Sequence, residues 1–246
     1  MLCKEDIGQS PGVMLARQLK AVRTSMHSPN KRVIRLSDLR FAGSLILGLA
    51  ATAVHADNIN VLEYAEPQNA YKVYQYKSVA GGAQPWDIDG RLVESPSEPE
   101  TIGDKHYRSR IQKSEGLPDY FPAESKVYYR EHQDGLFNAY YESEDQFSEF
   151  LQIPTDIEVG KSWQGPSGFW DKETLESIGA FTTPAGSFER CLTIERLKSI
   201  TDPPQNLTSV SVHCPGVGGV SSVTTHQMDD FESNTETLLI ELRTDQ

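Results

Sequence analysis

Twelve prolines fall between Pro67 and Pro215, and they leave no room for long helices. A proline inside a helix removes a backbone donor and collides with the preceding turn, which costs about 3 kcal/mol. The segments between these prolines are short and rich in Tyr, Val, Ile, Thr and Phe, residues that suit a pleated, half-buried surface. Parallel strands need helical crossovers of about a dozen residues, and none is visible. The expected fold is all-β and antiparallel. It is a single domain of about ten strands, built as a curved sheet or a partly open barrel or sandwich.

The candidate strands are Tyr71–Val79, Ile102–Lys113, Lys126–His132, Leu136–Ser143 and Phe147–Ile153. They continue with Trp170–Phe181, Ser187–Lys198, Ser209–His213, Val220–Gln227 and Thr235–Arg243. Asp134-Gly135 marks a hairpin, because glycine accepts the positive φ of a tight turn. Two stretches read as loops. Glu94–Glu100 is acidic and proline-rich, and Thr201–Leu207 carries Pro203-Pro204.

Residues 1–56 have a different character from residues 57–246. Phe41–Ala56 is apolar and uncharged, and it follows Lys31, Arg32, Arg35 and Arg40. It ends in Val54-His55-Ala56, small or branched at the positions a signal peptidase reads. The stretch is expected to be a signal-peptide helix cleaved between Ala56 and Asp57. It falls short of the ~20 residues that span a bilayer, so no membrane span is expected after cleavage. The leader is long, and Met26 would leave one of ordinary length, so residues 1–25 are expected to lie upstream of the true start. Residues 57–246 form the mature domain, periplasmic or secreted.

Charge follows the same division. Residues 1–56 hold eight of the 23 basic and three of the 35 acidic side chains, so the mature domain carries 15 against 32, a net of −17. Such a domain repels phosphate backbones, which excludes nucleic-acid partners. The mature part keeps two cysteines, Cys191 and Cys214. An even count in an exported chain points to a disulfide, two separate buried thiols being the alternative. The strands that carry them can pair as a hairpin about residue 203, which brings the two within reach of each other.

Three motifs occur in order: Leu151-Gln-Ile-Pro154 with Gly160-Lys-Ser-Trp163, Thr183-Pro-Ala-Gly186-Ser-Phe188-Glu-Arg-Cys191, and Pro215-Gly-Val-Gly-Gly-Val220. Together they resemble a large family of exported bacterial proteins of unknown function, built on a strongly curved antiparallel sheet. The resemblance covers about 151–227. It departs from the family at Gly219, where a bulky apolar residue is usual, and at His213-Cys214. It implies a fold and no catalytic residues. The residues themselves read as turns and core: Pro154 ends a strand, Gly160 turns the chain and Trp163 fills a core.

Chemistry is sparse. His106, His132, His213 and His226 are isolated, which gives no metal-ligand spacing. Asp87-x-Asp89-Gly90 lacks the third oxygen ligand of a calcium loop. Gly165-Pro-Ser167-Gly168 has the wrong spacing for a nucleophile elbow. No cofactor or metal is expected, and no catalytic residue is assigned. What stands out is tyrosine on strands. Adjacent pairs such as Tyr128-Tyr129 must point to opposite faces. Tyr128, Tyr140 and Trp163 are the expected ligand-facing positions of a concave surface. The expected function is an exported non-catalytic β-domain of the cell envelope that binds an apolar small molecule, an envelope-derived ligand or an envelope protein. The alternatives are a structural or assembly protein of the envelope, then a hydrolase with an unrecognised site.

Overall fold

The computed structural model describes residues 59–82, 85–143, 146–164, 170–201, 204–228 and 231–244. The expected signal helix, Ala56 and Asp57 lie outside these residues. The described chain opens with a 3-10 turn, Val61–Tyr64, and continues as strands. These are β1 (Ala70–Ala80), β2 (Trp86–Ile102), β3 (Lys105–Glu115), β4 (Glu124–His132), β5 (Gly135–Ser143) and β6 (Gln146–Pro154). Then come β7 (Ser162–Trp163), β8 (Lys172–Thr183), β9 (Gly186–Thr201), β10 (Pro204–Cys214), β11 (Gly218–Met228) and β12 (Phe231–Thr244).

All twelve belong to one antiparallel sheet, in the order β6-β5-β4-β3-β2-β1-β12-β11-β10-β9-β8-β7. Two runs of hairpins meet where β1 pairs with β12. The outer strands are β6 and β7, yet they are consecutive in the chain. The link between Pro154 and Ser162 spans at most roughly 28 Å when fully extended. A flat sheet of this many strands would be roughly 53 Å wide at 4.8 Å per strand. The sheet must therefore curl until its edges approach. It stays open, because β6 and β7 do not pair.

The curl gives the protein its core. One buried cluster gathers Tyr74, Tyr76, Ile88, Leu92, Val220 and Leu239 with Cys191 and Cys214. A second joins the two ends of the sheet. Leu136, Ile153 and Ile157 from one end meet Leu175, Leu192 and Ile194 from the other, with Val61 and Tyr64 between them. Burying an aliphatic side chain of this size is worth roughly 2 kcal/mol, so the 3-10 turn stabilises the curled shape directly.

The strand count of about ten is corrected to twelve. The main addition is β2, whose 17 residues absorb the expected loop Glu94–Glu100. Proline tolerates this because the ladder is irregular there: Pro96 lies opposite Arg110, and the register shifts between Ser97 and Glu100. Glu94 is buried and held by Arg110 and Gln112, so its charge does not mark a loop. The second expected loop is corrected likewise, since β9 runs to Thr201 and β10 begins at Pro204. The Asp134-Gly135 hairpin forms, but with Gln133 and Asp134 as its turn, since His132 pairs with Gly135. Gly135 has φ 142°, and a Cβ there would collide with the Ile153 carbonyl on β6.

Candidate functional site

The concave face is occupied by the chain itself. Residues 59–69 run as a strap across the inside of the sheet before β1 begins, and no strand-ladder pairing includes them. Side chains and turns grip the strap instead. Tyr64 is 2% exposed, and its hydroxyl donates to the Arg190 carbonyl at 2.7 Å. The Gly216 amide donates to the Glu63 carbonyl at 2.6 Å, and the Gly219 amide donates to Glu66 Oε1 at 2.8 Å. Lys72, whose side chain is fully buried, forms an ion pair with the same Glu66 carboxylate.

Arginines hold the strap backbone. Arg108 Nη1 donates to the Glu66 carbonyl at 3.3 Å, and Arg110 Nη1 to the Pro67 carbonyl at 3.0 Å. Arg110 Nη2 also donates to the Ala70 carbonyl. Arg190 pairs with the Glu63 carboxylate at 3.2 Å. Two backbone features make this possible. Gly218 has φ 75°, and a Cβ there would collide with the Glu66 carboxylate. Arg190 has φ 57°, a conformation that costs a non-glycine residue roughly 1–2 kcal/mol, where the β8–β9 register shifts. Pro215-Gly-Val-Gly-Gly thus acts as a grip for a carboxylate of its own chain.

Beneath the strap lies a buried polar layer. Glu94 accepts from Arg110 Nε at 3.3 Å and from Gln112 Nε2 at 3.1 Å. Burial pushes its carboxyl up, and the neighbouring Glu66 charge adds to that, against Lys72 and Arg110. Burial also holds the phenols of Tyr74 and Tyr129 well above their usual range, with Glu94 and Glu66 reinforcing it. Tyr74 donates to the Gly219 carbonyl at 2.8 Å.

A second chain of buried groups runs under β8–β10. Arg196 Nε donates to Glu173 Oε2 at 2.7 Å, and Arg196 Nη1 donates to Ser211 Oγ. Ser211 Oγ in turn hydrogen-bonds His213 Nε2 at 3.2 Å, with the direction set by the imidazole tautomer. Burial, with the Arg196 and Lys72 charges, pulls the imidazole down to about 3, so it is neutral at ordinary pH. Ser211 and His213 are the nearest approach to a nucleophile and base. Both are buried, and neither lines the cleft described next.

A half-open cleft remains between strap and sheet. It is lined by Tyr64, Ala65, Glu66, Arg108, Tyr129 and Asn138, among others. Its volume is about 20 Å³, enough for a water molecule and far below the roughly 300–1,000 Å³ of a small-molecule site. Among the described residues, three buried side-chain polar atoms have no protein partner: Asn138 Oδ1 in this cleft, Gln112 Oε1 beside Glu94, and Trp163 Nε1 on β7.

The three expected ligand-facing residues are not brought together. Tyr128 is opposite Ala139, so Tyr140 lies on the other face of the sheet. Tyr128 packs edge-on against Tyr107, Tyr141 and Phe147, and its hydroxyl donates to Glu100 Oε2 at 3.2 Å. Tyr140 stacks edge-on with Phe150. Trp163 is half-buried at the far edge, on β7. Close to the Tyr128 cluster, Glu149 accepts from Tyr107 at 2.9 Å and from Arg130 at 2.6 Å, and pairs with Lys105. Burial works to raise its carboxyl, but these three donors prevail and bring it down to about 2. A carboxylate pinned this way cannot serve as a general acid.

The expected bridge is present: Cys191 and Cys214 are disulfide-bonded, with Cα atoms 4.1 Å apart. The β9–β10 register places His213 opposite Leu192, so the two cysteines face each other at the next position.

No family model matches the chain, and no curated protein matches it in sequence. Among solved structures, a protein described as exported, with a YmcC-like fold, from Bacteroides fragilis aligns over 73% of this chain and 99% of its own, at 9% identity and a TM-score of 0.46. A protein described as a lipoprotein from Parabacteroides distasonis aligns over 72% of this chain and 97% of its own, at 13% identity and a TM-score of 0.42.

Proposed function

We propose that this is an exported, non-catalytic β-domain of the cell envelope that acts by engaging a protein partner and not by enclosing a small apolar molecule. The observation that carries this reading is the filled concave face. The strap occupies the place where a curved sheet would hold a ligand, and the remaining cleft is about 20 Å³. Export is supported by the basic, then apolar, then small-residue order of 31–56 and by the paired cysteines. The reading is tested in cells that export the protein. Photo-crosslinking of the intact envelope is expected to give a discrete protein adduct of the mature chain. Native mass spectrometry of the purified form is expected to give the bare mass of the chain. A stoichiometric small molecule retained in the native ion would overturn it.

A further inference from the structure

The turn Val61–Tyr64 is a core element that is made first and completed last. Val61 and Tyr64 are 1% and 2% exposed, and Ile59 packs against the same cluster. The groups that hold the segment lie far down the chain. The Tyr64 hydroxyl reaches the Arg190 carbonyl across 126 residues, and the Gly219 amide reaches Glu66 across 153. The Gly216 amide meets the Glu63 carbonyl. The set is complete only when residue 219 is in place. A chain that crosses the membrane as it is made, at roughly 5–20 residues per second, leaves this segment without all its partners for roughly 8–30 s.

The expected leader lies close enough for that interval to matter. The bond between Ala56 and Asp57 is three residues ahead of Ile59 in sequence. Such a tether reaches at most about 11 Å when fully extended. A peptidase that takes its substrate as an extended strand needs the residues on both sides of the bond drawn out straight. On the mature side these begin with Asp57, Asn58, Ile59 and Asn60. Ile59 belongs to the core cluster, and the Asn60 carbonyl accepts from the Glu63 amide at 3.1 Å to start the turn. Asn60 Nδ2 also donates to Glu63 Oε1 at 3.3 Å. A chain with the turn docked cannot lend these residues to the enzyme, and a chain held by the enzyme cannot dock the turn. Cleavage therefore follows the fraction of chains in which the turn is undocked, where opening is fast.

We infer that docking of residues 59–66 closes the interval in which the leader can be removed: hydrolysis of the Ala56–Asp57 bond precedes completion of the core, and a precursor that folds first resists processing. Water adds across the bond and leaves a carboxylate on Ala56 and an amine on Asp57, with no other co-reactant. This rests on the reading that the chain is exported behind a cleaved leader, and it fixes the order of the two events.

The test uses the full chain, 1–246, in detergent micelles with a purified signal peptidase. One sample is folded beforehand, and its cooperative urea transition is checked. The other is diluted from urea into the enzyme. The diluted chain is expected to be cut between Ala56 and Asp57 in a burst that ends as it folds. The folded chain is expected to be cut at least about tenfold more slowly. Two variants separate reach from general stability. About eight Gly/Ser residues inserted between Asn58 and Ile59 add roughly 15 Å of reach and leave the core as it is. That folded precursor is expected to be cut within about threefold of the burst rate. Tyr64→Phe removes only the hydroxyl that holds the Arg190 carbonyl, so the turn opens more often. Its folded precursor is expected to be cut several-fold faster than the wild type. Equal rates for the folded and diluted wild-type chains overturn the inference. So does continued resistance of the lengthened chain, because the barrier is then not the distance to the core. In either case cleavage of the diluted chain leaves the export reading intact and removes only the coupling. Failure to cut even the diluted chain at that bond removes the leader reading and the inference with it.

Discussion

His213 is buried against Ser211, and that burial, with the Arg196 and Lys72 charges, disfavours the imidazolium. Its ordinary value of 6.5 falls to about 3 in the folded protein. Between those values the unfolded chain takes a proton that the folded one refuses. Stability is therefore fully present above pH 6.5 and falls as the pH drops through this window. Glu149, held near 2 against an ordinary 4.5, adds a loss of the same sign below about pH 4.5. Glu94 and Glu173, which burial pushes up, act in the opposite sense. Urea midpoints between pH 7.5 and 4.5 are expected to fall for the wild-type chain and to fall clearly less for His213→Gln. Parallel slopes would show that the buried imidazole does not govern acid stability. This layer of charge was not legible in the sequence. Tyr74 and Tyr76 can be placed on one face by alternation, and Lys72 has the same parity. A lysine there reads as solvent-facing, because Glu66, its partner, comes from outside the strand.

Elements were more legible than residues. Hairpins with a glycine near the turn, such as β4–β5 and β8–β9, fall close to their expected positions because backbone sterics act locally. The strand β2 was missed because two prolines and three glutamates within Glu94–Glu100 imitate a loop; the register shift that accommodates them depends on β3. The disulfide was legible because parity and compartment do not depend on detailed geometry. It closes a loop with a sequence separation of 23, worth about 3 kcal/mol in the chain-entropy model. Cys191→Ser with Cys214→Ser is expected to lower the Tm by roughly 6–12 °C in a domain of this size. A calorimetric scan with an unchanged Tm would contradict the assigned role.

At the scale of the molecule, one short segment holds the curled shape. The sheet joins its own edges through the link from Pro154 to Ser162, and Val61 with Tyr64 fills the space this creates. No pattern in residues 59–69 announces this. The segment has no strand alternation, and Tyr64 finds its partners near residues 136, 153, 175 and 192, far away in the sequence. The aromatic excess suggested a ligand cavity, but much of it packs into the Tyr107–Tyr128 cluster on another part of the sheet. A protein with a filled interior should ignore apolar probes. The direct measurement is a titration of the exported mature chain with anilinonaphthalene sulfonate, at a pH where its unfolding is cooperative. The native chain is expected to show no saturable fluorescence gain until urea begins to unfold it. Saturable one-to-one binding to the native state, abolished by Tyr128→Ala without loss of the cooperative transition, would contradict a concave face filled by its own strap.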